Sequence, residues 1–252
     1  MKIKRILVFI ILIVLLGILS VYYPKLTGES VINNNQEYEK EACFAGRVID
    51  GDTIVCGNQT IRLLGINTPE KKMPYYQEAK NFLIQIENKT IEVLRDKEDE
   101  DKYNRKLRYV FYENEMLNAK ILQEGFATSF MLEGLKYETK LKNAETYAKN
   151  NEIRLWEKSK EECAKCIKLL ELNYSAEYFI IRNNCDSDCD LNGWIIKDDA
   201  NHIFKLDNLN AEEEKKYDSE TKIWNDDGDR FFMRDEIGRL VFFYEYKNTA
   251  ET

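Results

Sequence analysis

The sequence predicts a mostly β protein with a few helices (α+β), and three observations indicate this class. Short runs rich in branched and aromatic residues recur along the chain, separated by turn dipeptides such as Asp50-Gly51. Only a few segments show the apolar periodicity of a helix. The 252 residues are 44% hydrophobic and 12% aromatic, a composition typical of chains that fold around a core.

The middle of the chain predicts a small barrel followed by helices. The strands expected there are residues 44–49, 53–56, 61–66, 90–94 and 107–112. Helices are expected over 77–86, 116–124 and 135–150. The second should end at Gly125, because glycine is the usual residue just past a helix. This order of elements predicts a five-stranded barrel of the OB type.

The pattern changes after Trp156. Residues 158–173 carry two cysteines and predict a linker. Short strands then follow within about 75 residues, expected over 177–182, 193–197, 202–206, 230–234 and 240–246. Strands this short and this numerous predict a second domain that is a β-sandwich.

The N-terminal sequence predicts a segment that directs the chain to a membrane. Lys2, Lys4 and Arg5 precede an apolar run over residues 6–21. A helix of that length measures about 24 Å, the short end of a bilayer span. The cationic start favours a cytoplasmic N-terminus with the remainder outside. We therefore expect a single-pass signal anchor over 1–24 and a polar tether over 25–42; a cleaved signal peptide, which would give a secreted protein, is the alternative.

Composition also excludes several kinds of site. His202 is the only histidine, so a zinc site rich in histidine cannot be built and any Ser-His or Cys-His pair would need this residue. The formal charge of −8 arises in residues 158–252, whereas residues 43–157 are nearly balanced. Bulk attraction of nucleic acid is therefore not expected of the last third, but the middle can focus positive charge locally.

The middle of the chain also holds side chains suited to phosphodiester hydrolysis. Asp52, in the run Asp-Gly-Asp-Thr, offers a hard carboxylate of the kind Ca²⁺ prefers. Asn67 and Thr68, in Arg-Leu-Leu-Gly-Ile-Asn-Thr-Pro-Glu, follow a strand and can add an amide oxygen and a backbone carbonyl. Arg62 and Arg105 present planar forks that match phosphate oxygens. Each residue alone has an ordinary structural explanation as a turn former or strand-edge charge; the combination is informative.

The run Asp-Lys-Tyr-Asn-Arg, which ends at Arg105, completes that combination. The whole set resembles the staphylococcal (micrococcal) nuclease or thermonuclease family over about residues 43–157. The resemblance implies a Ca²⁺-dependent nuclease that cleaves DNA and RNA with little sequence preference and leaves 3′-phosphate ends. It implies a general base or water-orienting role for Glu70. The remaining carried-over positions are catalytic Arg62 and Arg105, calcium-site Asp52, Asn67 and Thr68, and possible substrate contacts Lys102 and Tyr103.

One position departs from the family. Better-known members carry Asp where this chain has Asn67, and an amide brings no charge, so we expect weaker calcium binding. A different class of function also stays open, namely a catalytically silent module that binds nucleic acid or a surface. The joint presence of Arg62, Glu70 and Arg105 favours the nuclease.

A second resemblance covers the C-terminal third. The runs around Asn183, Gly193-Trp194 and Gly228 resemble the lamin-tail domain. This resemblance implies an Ig-like β-sandwich over residues 174–247, followed by a tail over 248–252. It implies a binding or positioning role whose partner is unknown and carries over no catalytic residue.

The six cysteines are an even number, and an address outside the membrane favours disulfides. Cys43 and Cys56 flank the Asp50-Gly51 turn and could face each other across a hairpin. The other four are predicted to form two disulfides, or alternatively one four-thiolate Zn²⁺ site; they are Cys163, Cys166, Cys185 and Cys189.

Overall fold

A computed structural model describes residues 38–247 of the chain. The predicted anchor, most of the tether and the tail therefore lie outside the described residues. No helix within residues 38–247 is long and apolar enough to cross a membrane. From Lys40 onward the chain clusters as one compact unit, so the predicted barrel and sandwich regions belong to the same body.

The first region is a closed barrel. Its strands are β1 (Glu41–Val48), β2 (Thr53–Cys56), β3 (Gln59–Leu63), β4 (Ile66–Asn67), β5 (Lys89–Leu94), β6 (Lys106–Tyr112), β7 (Glu115–Met116) and β8 (Thr128–Ser129). Antiparallel pairs join β3, β2, β1, β5 and β6 in that order, and a parallel pairing of β6 with β3 closes the ring. Ile54, Leu63 and Val110 are fully buried. The five-stranded barrel predicted from the sequence is confirmed.

Short helices flank the barrel. They are α1 (Tyr76–Ile84), α2 (Leu117–Gln123), α3 (Glu138–Asn150), a 3-10 turn (Arg154–Trp156) and α4 (Glu162–Cys166). Gly125 follows α2, as predicted, and has a φ of 67°, a left-handed conformation that glycine adopts readily. The helix α3 begins at Glu138 and not at Leu135, and in the turn before it the Gly134 amide donates to the Glu138 carboxylate.

The C-terminal region consists of two antiparallel sheets. One orders β13 (Glu214–Asp218), β10 (Tyr178–Asn183) and β9 (Ile167–Asn173); the other orders β12 (Ile203–Lys205), β11 (Ile195–Lys197), β14 (Gly228–Arg234) and β15 (Leu240–Lys247). One cluster of buried side chains draws on both sheets, including Phe179 and Phe231. The aromatic core thus lies between these two sheets.

The predicted linker contains a strand. Residues of β9 pair with β10, and Ile167 is buried in the core between the sheets. The alternation of apolar and charged residues in β9 is short, so the local sequence does not distinguish a strand from a connector. Burial of Ile167 against the aromatic core, a long-range interaction, decides the structure.

Three disulfides are present among the described residues. Cys43 is joined to Cys56 across the first hairpin. Cys163 is joined to Cys189, and Cys166 is joined to Cys185. The last two disulfides fasten α4 to the loop after β10. The four C-terminal sulfurs are thus used in bonds to each other.

The barrel and the C-terminal sheets share an apolar contact. Trp156, at the end of the barrel region, is 1% exposed and packs against Phe232 and Phe243 of the C-terminal sheet. Leu240 completes this cluster. An aromatic side chain of this size dominates the energetics of a contact, so the two regions bury a common surface.

Candidate active site

The candidate site is built on the turn between β1 and β2. The amide of Ile49 donates to the Thr53 carbonyl, and the amide of Asp52 donates to the Asp50 carboxylate. A Cβ atom at Gly51 would lie 2.8 Å from the Cβ of Ala79 and 2.9 Å from side-chain atoms of Thr68. Glycine is therefore needed here because the turn packs tightly against the β4 end.

Asp52 lies at the centre of this turn and is almost fully buried. Its Oδ2 accepts hydrogen bonds of 3.0 Å from both the amide and the hydroxyl of Thr68. Its Oδ1 accepts a 3.0 Å hydrogen bond from the Thr53 hydroxyl. Nη1 of Arg62 lies 3.4 Å from Oδ2 and is the nearest positive charge. The structure thus brings the predicted residues Asp52, Arg62 and Thr68 together.

Carboxylates crowd the same end of the barrel. Burial, and then the negative charge of Asp52, raise the pKa of Asp50; Glu70 contributes in the same direction. The carboxylates of Asp50 and Asp52 therefore repel each other, and burial adds to the cost of charging Asp50. Bound Ca²⁺ would relieve that repulsion. Asp52 and Asp50 fit a hard cation by charge and by donor type.

Glu70 is exposed beside this cluster. Its backbone amide donates to the Met73 sulfur. Among residues 38–247, no side chain forms a hydrogen bond or ion pair with its carboxylate. The carboxylate is therefore accessible to water, as a water-orienting residue must be.

Arg105 precedes β6, the strand that closes the barrel against the strand of Arg62. Its Nε and Nη2 each lie 2.7 Å from Oδ2 of Asp101. Burial alone would raise the pKa of Asp101, but hydrogen bonds from Arg105 outweigh it and lower the pKa. Asp101, the first residue of the Asp-Lys-Tyr-Asn-Arg run, therefore orients the Arg105 fork.

The two predicted substrate contacts lie on the same loop. Tyr103 is 66% exposed, with the Lys102 ammonium 5.1 Å and the Arg105 guanidinium 5.4 Å from its ring centroid. An exposed aromatic ring flanked by cations is suited to stack on a base beside phosphates. Their role as substrate contacts stays a prediction.

Asn67 and Thr68 make contacts that the sequence did not predict. The Asn67 Oδ1 accepts from Nη2 of Arg62 at 3.2 Å, while its Nδ2 donates to the Asp199 carbonyl at 2.8 Å. The Thr68 carbonyl accepts from Nδ2 of Asn201 at 3.2 Å. Both partners come from the turn between β11 and β12. The signal for these contacts is absent from local sequence, since more than 130 residues separate the partners.

The closed five-stranded barrel carries carboxylates and Arg62 around the turn between β1 and β2. Residues 60–158 match the model of the staphylococcal nuclease homologue family. The thermonuclease of Staphylococcus intermedius is 30% identical over 161 residues, covering 59% of this chain and 96% of that protein. This chain belongs to the staphylococcal nuclease family.

Other relatives agree. The thermonuclease of Staphylococcus hyicus is 34% identical over 122 residues, covering 44% of this chain and 72% of the relative. An endonuclease of Haemophilus influenzae, described as uncharacterized, is 32% identical over 98 residues, covering 36% of this chain and 54% of the relative. These similarities support nuclease activity as the general function of the chain.

Proposed function

We propose that this chain is an extracytoplasmic, Ca²⁺-dependent nuclease that hydrolyses phosphodiester bonds of DNA and RNA with little sequence specificity and leaves 3′-phosphate ends. One observation carries the proposal. The buried Asp52 and the half-buried Asp50 lie in one turn beside Arg62, with the exposed Glu70 nearby. A paired negative site next to a phosphate-binding cation is what metal-assisted phosphate chemistry requires.

The roles of the side chains follow from their positions. Asp52 would hold the cation, with oxygens of Asn67 and Thr68 as further candidate ligands, and Ca²⁺ would supply positive charge to a phosphate oxygen. Glu70 would orient a water and accept its proton as the water attacks phosphorus in line. Arg62 and Arg105 would bind the phosphate oxygens as negative charge develops, and the 5′ oxygen would leave.

Low specificity follows from the kind of donors in the site. Arginine forks bind phosphate, which every nucleotide carries, and a stacked Tyr103 would accept any base. Localisation outside the membrane is supported by the three disulfides, because such bonds persist in oxidising compartments. The membrane partner and the signal anchor remain proposals on the N-terminal sequence alone.

The C-terminal region is proposed to be an Ig-like sandwich of the lamin-tail type, with a positioning role. Its two antiparallel sheets of three and four strands around one aromatic core support this assignment. Ca²⁺ is the proposed cofactor. A four-thiolate Zn²⁺ site is not proposed, because the same four sulfurs are joined in two disulfides.

The test is a cleavage assay on the full chain. Labelled single- and double-stranded DNA and RNA are incubated with Ca²⁺ or with EGTA, and the product ends are probed for extension before and after phosphatase treatment. We expect all substrates to be cleaved with Ca²⁺ and none with EGTA. We expect the 3′ ends of the products to be extended only after phosphatase treatment. Binding without cleavage would instead establish the silent binding module.

A further inference from the structure

The turn between β11 and β12, residues 198–202, lies against the end of β4, where the predicted metal site begins. Nδ2 of Asn67 donates to the Asp199 carbonyl, and Nδ2 of Asn201 donates to the Thr68 carbonyl. Asn67 and Thr68 are 7% and 4% exposed. The C-terminal region therefore makes two direct hydrogen bonds to consecutive residues of the candidate site.

This 198–202 turn is held in place by its own network. Nε of Arg230 donates to both carboxylate oxygens of Asp199, at 2.6 and 2.8 Å. The amide of His202 donates to the Asp198 carboxylate at 2.7 Å. Asn201 has a φ of 66°, a left-handed conformation that asparagine adopts more readily than most residues. A turn fixed in this way can impose geometry on what it contacts.

The contacts require an amide at position 67. Arg62 donates to one end of the Asn67 side chain, and the Asp199 carbonyl accepts from the other end. An ionised aspartate has only acceptors, so it would satisfy Arg62 but would place an oxygen against the carbonyl oxygen of Asp199. The departure from the family's aspartate is thus accounted for by the turn.

The contact at Thr68 leaves room for a metal. A carbonyl oxygen has two lone pairs, so the hydrogen bond from Asn201 occupies one and the other stays available. The other end of the Asn201 amide accepts from Nζ of the buried Lys197 at 2.8 Å, which fixes the orientation of the amide. The turn therefore aims the Thr68 carbonyl without blocking it.

We propose that the 198–202 turn is an integral part of the metal site: through its hydrogen bonds to the candidate ligands Asn67 and Thr68, with Asn201 as a positioning residue, the C-terminal region sets the calcium affinity. This inference rests on the proposed calcium-dependent function. It gives the C-terminal region a role at the active site itself, where the family resemblance alone leaves its partner unknown.

Two variants of the full chain test the proposal. Asn67→Asp keeps the side-chain shape and loses the donor to the turn. Asn201→Ala leaves every predicted nuclease residue intact and loses both the donor to Thr68 and the acceptor for Lys197. The matched control is Asn81→Asp, an exposed asparagine whose oxygen accepts from Gln77 and would still accept as a carboxylate.

The first measurement is hydrogen–deuterium exchange without metal, which does not depend on activity. We expect residues 198–202 to exchange several-fold faster in Asn67→Asp and in Asn201→Ala, and at the unaltered rate in Asn81→Asp. Unchanged exchange of this segment in Asn67→Asp, in protein that remains folded, would overturn the proposal.

The second measurement is calcium binding by titration calorimetry. We expect Asn201→Ala to weaken Ca²⁺ binding at least threefold. An unchanged affinity would reduce the turn to packing, and a tighter affinity would make it a competitor of the metal; either result overturns the positioning role. If the unaltered protein binds no Ca²⁺, the proposed cofactor is refuted, and with it the metal part of this inference, while exchange still tests the contact.

Discussion

The carboxylate of Asp52 and the residue Thr68 are joined by two hydrogen bonds to one oxygen atom. Oδ2 of Asp52 accepts from the Thr68 amide and from its hydroxyl, each at 3.0 Å. This pair ties the turn after β1 to the end of β4. Asp52, which is proposed to hold the metal, therefore also fixes the backbone of the neighbouring candidate ligand Thr68. An experiment must distinguish the effect of the Asp52 charge from the effect of its hydrogen bonds to Thr68.

The first prediction concerns that separation. Asp52→Asn keeps the volume of the side chain and loses its negative charge, so we expect cleavage at saturating Ca²⁺ to fall at least about 100-fold. Stability should fall by only about 1–3 kcal/mol, the usual cost of a disturbed buried hydrogen bond. Initial rates over a calcium titration and urea unfolding measure both.

The control for this variant is Asp190→Asn. Asp190 is an exposed turn residue whose carboxylate accepts from the Asn192 amide, and it lies outside the candidate site. Its rate should stay that of the unaltered protein. Near-normal cleavage by Asp52→Asn would remove Asp52 from the metal site.

The second prediction concerns the two arginines. Arg62→Ala and Arg105→Ala should each lower turnover on the order of 100-fold, because each is proposed to bind developing charge on the phosphate. Arg182→Ala is the matched control, since its guanidinium pairs with Glu212 and Glu214 on the C-terminal region. Single-turnover rates on a labelled oligonucleotide measure the effect of each variant. Near-normal rates in both Arg62→Ala and Arg105→Ala would contradict the proposed role of the two arginines.

The third prediction concerns the buried charges between the two regions. Arg230 donates to Glu145 of α3 at 2.9 Å and to Asp199, and its side chain is 8% exposed. Burial alone would lower the pKa of Arg230, but the two carboxylates outweigh it and raise the pKa. Arg230→Met would leave two partly buried carboxylates without this cation, and the loss of one partner of a buried ion pair typically costs about 3–5 kcal/mol.

Urea unfolding checks this value against Arg239→Met. Arg239 lies 3.3 Å from Glu157 in a more exposed ion pair, so its loss should cost about 1 kcal/mol or less. Equal stability losses in the two variants would show that the Arg230 cluster contributes no more than a surface pair.

The sequence predicted most of the barrel because its signals are local. Asp50-Gly51 marks a hairpin turn, and Thr53–Cys56 is found where alternation and β-branched residues predict it. Gly125 ends α2 because a left-handed residue follows the helix. Strand β9 was missed, since its place in a sheet depends on β10 and on a distant aromatic core.

The candidate site likewise has residues that the sequence predicts and residues that it does not. Asp52, Arg62 and Thr68 are close together because neighbouring strands of one barrel present them, and motif order predicts that. Asp199 and Asn201 could not be predicted. Their contacts to β4 depend on how two regions pack, and neither residue carries a motif that points to the site.

The fourth prediction concerns the cysteines. All six sulfurs are paired in the structure. Protein made in an oxidising compartment should therefore take up no alkylating reagent until it is unfolded and reduced, as judged by mass spectrometry. Peptide mapping should recover Cys43 linked to Cys56. Six alkylated thiols in unreduced, unfolded protein would contradict the disulfides.

The last prediction concerns Lys197, whose ammonium lies beside the 198–202 turn. Burial lowers its pKa to about 7, helped by the positive charges of Arg234 and Arg230 and opposed by the carboxylates of Asp199 and Asp198. Its Nζ donates to the Asn201 side chain and to the Asp198 carbonyl. The folded state therefore holds this proton more weakly than the unfolded state, where lysine has its ordinary pKa.

The sign of the pH dependence follows. Between pH 7 and about 10 the unfolded chain keeps the Lys197 proton and the folded chain releases it, so the free energy of unfolding rises with pH. The limiting slope is about 1.4 kcal/mol per pH unit. Lys197→Met should lose this slope, while Lys205→Met, at an exposed lysine of β12, should keep it. Urea unfolding at pH 7, 8 and 9 measures the difference, and parallel curves for the unaltered protein and Lys197→Met would show that this lysine keeps its proton in the folded state.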